Sequence, residues 1–304
     1  MNNFLHTFGY LIIRNAFTLP TNIESIFDDG CEHIMHSSIR SNPNNDIRLF
    51  GAVENYSPLL NFFIDNGLEN LINLIFNNNV YYWGSDFSTF RHRSLFHRDM
   101  HSIIPFYKMN IYLDGSYGED QNFIVIPGSH RSSDSYSQSL SKICYWPESS
   151  GVNLDMLGGE IDLKNNSISP LLPAVSITLN RGDVVIFDQR ILHAVNGNKL
   201  RRLIALSFVP NEISLNYVSD KSFFASPSDY LNFLHEIRAS TLTMDKSNYK
   251  ITISQNDMPI MNTVLNKYCL FNLSESNYLE RANKYINNKH FNAYNHINPF
   301  RYTL

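Results

Sequence analysis

A chain of 304 residues with 43% hydrophobic and 17% charged residues can bury a full core and is too apolar to stay disordered. Its formal charge of −4 excludes a generally basic nucleic-acid surface, and no apolar run approaches the ~20 residues of a membrane-spanning helix. Cys31, Cys144 and Cys269 build neither a disulfide framework nor a CxxC zinc motif, which predicts a reducing, cytoplasmic setting. The first residues, MNNFLHTFGYLIIRNAF, lack the basic start and apolar centre of a signal peptide.

In chain order, Phe8 to Arg14 predicts a short strand. Thr21 and Glu24 form a Thr-x-x-Glu capping box, and Ile23, Ile26, Phe27 and Ile34 follow at helical spacing. A second apolar helix is predicted from about Pro58 to Phe76, with proline in its first turn. From Val80 the texture changes to short β-rich segments: Val80–Trp83, Phe87–Arg91, Phe106–Leu113, Phe123–Ile126, Ser176–Leu179, Val184–Phe187 and Leu203–Val209. Turn signals separate them, among them Asp114-Gly115, Pro127-Gly128, Arg181-Gly182-Asp183 and Asn196-Gly197-Asn198. Many short strands after helices predict a mainly β fold with flanking helices, a sandwich or barrel. Residues 132–172 look like a long insertion, and 211–304 like an appended, mostly helical region on a 1–210 core.

The sharpest chemical signal is Leu95-Phe96-His97-Arg98-Asp99. On a strand, residues i and i+2 share a face, so His97 and Asp99 can hold one ion from one side. A further histidine, His193, ends the segment Gly182 to His193. Two imidazoles and one carboxylate are the facial triad of non-haem Fe(II) oxygenases, which leaves coordination positions open. His92 and His101 flank the motif but have no carboxylate at the right spacing. His290 and His296 sit in an Asn-rich tail.

A cation follows the last histidine, either Arg201 or Arg202. A 2-oxoglutarate co-substrate needs such a fixed cation for its distal carboxylate, and arginine can supply it bidentately. Alternation favours Arg201, which shares a face with Leu203, Ala205 and Ser207; Arg202 shares its face with Ile204, Leu206 and Phe208. Lys108, Asn110 and Tyr112 alternate with Tyr107, Met109, Ile111 and Leu113. Inside a closed β fold they would reach co-substrate or substrate; on the outside they would merely meet water. Tyr112 is the favoured member, because a phenol can donate to a carboxylate.

These pieces together resemble the phytanoyl-CoA dioxygenase family of Fe(II)/2-oxoglutarate oxygenases. Phe8–Arg14 resembles its opening strand and His97-Arg98-Asp99 its iron-binding HxD. Tyr112-Leu113-Asp114 with Val125-Ile126-Pro127-Gly128-Ser129-His130-Arg131 resembles its central strands and PGSH turn, and Gly182–His193 the strand of its distal histidine. The stretch between His193 and the arginine is slightly short for the family. The resemblance implies a double-stranded β-helix, a cupin-like jelly roll. It implies Fe(II) on His97, Asp99 and His193, with 2-oxoglutarate and dioxygen as co-substrates. It also implies oxidation of an unactivated C–H of a small molecule, in natural-product, amino-acid, sugar or lipid metabolism. Two other readings stand beside it: a non-catalytic jelly-roll binding protein, and a cupin-like metalloenzyme that does not use 2-oxoglutarate. The 132–172 insertion and the 211–304 region are expected to contact the substrate.

Overall fold

The computed structural model describes residues 1–35, 47–50, 53, 56–77, 79–91, 94–99, 104–115, 123–131, 174–195 and 199–211. In chain order these hold α1 (Asn2–Phe8), β1 (Tyr10–Ile13), α2 (Ile23–Met35), β2 (Ile47–Phe50), α3 (Ser57–Asp65) and α4 (Leu68–Phe76). Then come β3 (Val80–Phe90), β4 (Ser94–His97), β5 (Tyr107–Tyr112), β6 (Phe123–Val125), β7 (Val175–Ile177), β8 (Val184–Asp188), β9 (His193–Val195) and β10 (Arg201–Pro210). The 132–172 insertion, the helical region expected beyond Asn211, Asn196-Gly197-Asn198, His92, His101, His290 and His296 lie outside the described residues. Among the described residues no helix is long and apolar enough to cross a membrane.

The strands form two antiparallel sheets, one in the order β1-β8-β5-β10-β3-β2 and the other β4-β9-β6-β7. Most consecutive strands from β3 to β10 cross from one sheet to the other, the winding of a double-stranded β-helix. β1 and β2 extend the larger sheet at its two edges. The jelly roll implied by the resemblance is therefore the fold of this chain.

Period-two alternation builds the layers. Tyr107, Met109 and Ile111 of β5, Val184 and Ile186 of β8, and Ile204, Leu206 and Phe208 of β10 pack with Phe27, Phe63, Leu68 and Ile72 from the helices. The opposite faces carry Tyr112, Val185, Phe187, Leu203 and Ala205, which pack on Phe123, Val125 and Ile177 of the smaller sheet. Lys108 and Asn110 share the face of Tyr112 and are also buried. The polar side of β5 thus looks into the roll and not out to water.

Several boundaries differ from the expectation. Val80–Trp83 and Phe87–Arg91 are one strand, β3. Its register against β10 slips between Ser207 and Phe208, which pair with Gly84 and Tyr82 and leave Trp83 as an extra residue. Such a bulge interrupts the alternation that a single strand would display. The apolar stretch Pro58–Phe76 is two helices, broken where Gly67 takes φ +88°. In place of the capping box, the Glu24 carboxylate accepts a 2.6 Å ion-paired hydrogen bond from Arg181.

The strand expected over Phe8 to Arg14 is β1, Tyr10–Ile13; the unpredicted helix α1 precedes it, closed by Gly9 at φ +81° with its N–H on the Leu5 carbonyl. A Cβ on Gly9 would collide with the His130 ring, so this crossing requires glycine. His130 Nε2 lies 2.9 Å from the His6 carbonyl, and His6 Nδ1 lies 3.3 Å from the Tyr107 hydroxyl. Asp188, forked onto Arg190 at 2.9 and 2.6 Å, is near enough to favour both imidazolium forms. Burial nonetheless lowers the pKa of His6 and of His130 below the ordinary 6.5, with Arg190 adding to the shift. The unfolded chain therefore binds these two protons more readily than the folded one. Their contribution to stability is complete above the unfolded value and is lost as pH falls below it toward the folded values. The urea midpoint should fall between about pH 7.5 and about pH 5.5, and His130→Gln should flatten that slope. Identical slopes in the two proteins would take the effect away from this cluster.

Candidate metal centre

The site is built on the smaller sheet. β4 and β9 pair antiparallel with His97 directly opposite His193, and the two rings stand 4.3 Å apart between centroids. The ladder slips between Ser94 and His97, and the Ser94 hydroxyl accepts the Val195 N–H at 3.0 Å. Asp99 lies two residues past His97, on the loop that leaves β4. Its Oδ1 is 3.4 Å from His97 Nε2 and 3.6 Å from His193 Nε2. Among the described residues these three are the group whose donor atoms, all within 4.8 Å of one another, could hold a metal ion. The spacing inferred from sequence thus comes together in space.

Local forces set each donor. His193 Nδ1 lies 3.0 Å from the Ile191 carbonyl, a contact that fixes the proton on Nδ1 and turns the Nε2 lone pair toward Asp99. Its ring is 4% exposed and packs on Phe187 and Phe123, with centroids 4.9 and 5.5 Å away. Burial, with His97 nearby, lowers its pKa against the pull of Asp99, so the imidazole is neutral at pH 7 and able to ligate. For Asp99, burial works against the charge. The Lys108 ammonium first, and then the neighbouring His193, outweigh it and hold the carboxyl well below the usual carboxylate range. Donors bound in adjacent positions at about 2.0–2.2 Å from an ion sit about 3 Å apart. The observed 3.4 and 3.6 Å close on such an ion with shifts of about half an ångström. Two imidazole nitrogens and one carboxylate oxygen suit iron and similar divalent transition metals.

The PGSH turn does more than reverse the chain. Ser129, fully buried, accepts the Leu192 N–H on its hydroxyl at 2.8 Å and an Arg98 N–H on its carbonyl at 2.9 Å. Leu192 precedes His193, and Arg98 stands between His97 and Asp99. One serine therefore ties together the two segments that carry all three donors. His130 points the other way, toward α1, and lines no part of the centre.

The remaining predicted residues divide by face. Arg201, 4% exposed, lies on the inner face with Leu203 and Ala205. Its charge reaches the Tyr112 phenol, which burial pushes up to about 12 against the opposing influence of Arg201 and Asn110. Tyr112 is thus a hydroxyl donor at any ordinary pH. Asn110 Oδ1 is buried without a hydrogen-bond partner, a polar atom aimed into the roll. Arg202 lies on the other face. It donates to Asp114 from its backbone N–H at 2.5 Å and from Nη1 at 2.6 Å, and its Nε reaches Asp28 at 3.1 Å. Lys108 reaches Asp99 Oδ2 at 3.2 Å. Asp86 of β3, missed in the sequence, is buried on the same inner face and lies 3.9 Å from Lys108. Alternation through Gly84, Asp86 and Ser88 carried its signal.

No protein-family profile matches the chain, and no curated protein sequence does. Among solved structures it is similar to SnoK, a non-heme alpha-ketoglutarate-dependent carbocyclase from nogalamycin biosynthesis. That match has 16% identity over 69% of this chain and 83% of that one, with a TM-score of 0.48. It is also similar to EctD from S. alaskensis with bound Fe, at 17% identity over 71% and 82% with a TM-score of 0.47. A third is HygX from Streptomyces hygroscopicus with nickel and 2-oxoglutarate bound, at 14% identity over 68% and 84% with a TM-score of 0.46.

The double grip of Ser129 makes a prediction. In Ser129→Ala the Leu192 N–H is buried without its acceptor, at a cost of about 1–3 kcal/mol in stability. Urea unfolding should show that loss, and Co(II) titration should show weaker binding than in the parent. Unchanged Co(II) affinity would mean that the turn braces the fold without holding the donors.

Proposed function

We propose that this chain is a non-haem Fe(II)- and 2-oxoglutarate-dependent dioxygenase that oxidises an unactivated C–H of a small molecule. One observation carries the reading. A single carboxylate oxygen, Asp99 Oδ1, faces the Nε2 atoms of both His97 and His193 at 3.4 and 3.6 Å, inside a jelly roll whose inner face also buries an arginine and a tyrosine.

His97, Asp99 and His193 would hold Fe(II) on one side, which leaves its remaining positions open. When bound, the ion with 2-oxoglutarate and dioxygen supplies the oxidising chemistry, and the protein supplies binding and orientation. Arg201 would pair with the distal carboxylate of 2-oxoglutarate and Tyr112 would donate a hydrogen bond to it, with Asn110 beside them. Arg202 supports no such role, because Asp114 and Asp28 already share its guanidinium. Phe187 and Phe123 against the His193 ring keep water from that side of the centre. An aspartate at the third donor position favours hydroxylation, desaturation or ring closure over halogenation, which needs a small residue there to admit halide.

The test is succinate release from 2-oxoglutarate across a panel of small molecules, with and without Fe(II). Fe(II)-dependent release is expected with at least one of them. His97→Ala, Asp99→Ala and His193→Ala should each abolish that release in a protein that still folds, since a three-donor set cannot lose a member cheaply. Full iron binding in all three variants would disprove the assignment.

The co-substrate role separates the two arginines. Arg201→Ala should raise the 2-oxoglutarate KM roughly tenfold or more, the effect of losing one charge-assisted hydrogen bond to a buried carboxylate. Arg202→Ala should change it less and instead lower thermal stability, through the loss of the Asp114 and Asp28 pairs. The opposite ranking in a 2-oxoglutarate titration would transfer the role to Arg202.

A further inference from the structure

Asp99 uses its two oxygens differently. Oδ1 is the one that faces both imidazoles, at 3.4 and 3.6 Å. Oδ2 lies 3.2 Å from Lys108 Nζ. Lys108 comes from the inner face of β5 and is only 7% exposed. Its ammonium also stands 3.9 Å from Asp86 Oδ2. The other Asp86 oxygen accepts the Ser88 hydroxyl at 2.7 Å. A buried chain of polar contacts thus runs from Ser88 through Asp86 and Lys108 to the far oxygen of Asp99, and crosses from the larger sheet to the smaller one.

We propose that Lys108 is a positioning residue that makes Asp99 a one-oxygen metal ligand, and that Asp86, braced by Ser88, keeps Lys108 in place. This rests on the metal assignment above and deepens it. A carboxylate with both oxygens at liberty can grip a divalent cation through the pair of them. The ammonium on Oδ2 forms a charge-assisted hydrogen bond, among the stronger contacts a carboxylate makes. Only Oδ1 is then presented to an ion. On an octahedral ion the three protein donors would leave three positions, enough for a chelating 2-oxo acid and one further ligand. An Asp99 bound through both oxygens would take up that last position.

The burial of the chain supports this purpose. Two carboxylates around one ammonium in the interior are costly unless each group has a fixed partner. Asp86 has Ser88 and Lys108, Lys108 has Asp86 and Asp99, and Asp99 has Lys108 and the imidazoles. Lys108 sits opposite Ser207 of β10 and Phe187 of β8, and the Phe187 ring touches His193. Its backbone is therefore clamped on both sides in the rung beneath the centre. That places the ammonium at a defined height, which a flexible surface lysine could not match.

Co(II) is the probe, because its visible absorption depends on the number and geometry of its ligands. Wild type, Lys108→Met, Lys108→Arg and Asp86→Asn are each titrated with Co(II), and then with 2-oxoglutarate in the Co(II)-loaded state. In Lys108→Met the ion should still bind, with an altered visible spectrum. Its 2-oxoglutarate affinity should fall roughly 10–100-fold, the range seen when a group that orients a metal ligand is lost. Lys108→Arg keeps the cation and should restore both readings, and Asp86→Asn should fall between. A Lys108→Met protein with the wild-type spectrum and oxo-acid affinity would overturn the proposal. So would equal losses in Lys108→Met and Lys108→Arg. Should Lys108→Met fail to fold, Asp86→Asn decides, and wild-type behaviour there would count against the idea. A wild-type protein that binds no Co(II) would instead defeat the metal assignment itself, so the two failures are told apart.

Discussion

The register between β4 and β9 is the constraint on which the rest depends. His97 and His193 are useful only as direct cross-strand partners, because a one-residue slip in either strand would send one imidazole to the opposite face. These strands are too short to hold their register by backbone pairing alone. Side chains do the remaining work. The Ser94 hydroxyl takes up a backbone N–H where the ladder slips, and Ser129 locks the residues beside the donors from the far side of the turn. β6 completes the clamp, pairing Val125 with His193.

Around that clamp the jelly roll sorts charge by face. The helix-covered face of the larger sheet is apolar, and the arginine at its margin, Arg202, is neutralised by two carboxylates. The inner face keeps Asp86, Lys108, Tyr112 and Arg201 out of water. Burying such groups without partners would cost several kcal/mol each. The sheet tolerates them because one rung of side chains answers the next. The same arrangement leaves fixed dipoles and charges already in place before any small molecule arrives, so little reorganisation is left for binding to drive.

Much of this was legible in the sequence where a period could be counted. β5, β8 and β10 alternate cleanly, and the parity of Arg201 with Leu203 and Ala205 placed it inside the roll. His97, Asp99 and His193 were found because ligand chemistry restricts residue type and i, i+2 spacing restricts face. What escaped was either short or non-local. α1 is seven residues long, too brief to show a helical repeat, and its closing Gly9 looks like the start of a strand. The bulge at Trp83 split β3 in two, and the alternation of Gly84, Asp86 and Ser88 that places Asp86 inside lies across the gap left between the two expected strands. The grip of Ser129 joins residues 31 and 63 positions away, and no local pattern records such a contact.

The topology also orders events in time. Tyr10 of β1 pairs with Phe187 of β8 and Val80 of β3 with Pro210 of β10, so early strands must wait for late ones. During synthesis His97 and Asp99 emerge well before His193, separated by about a hundred residues, or roughly 5–20 s at a rate of roughly 5–20 residues per second. Throughout that interval the nascent chain offers an incomplete pair of donors, which any passing divalent ion can visit and leave. Only when β9 inserts beside β4 do the three donors converge. An ion held by all three would therefore have to wait for the β4–β9 pairing.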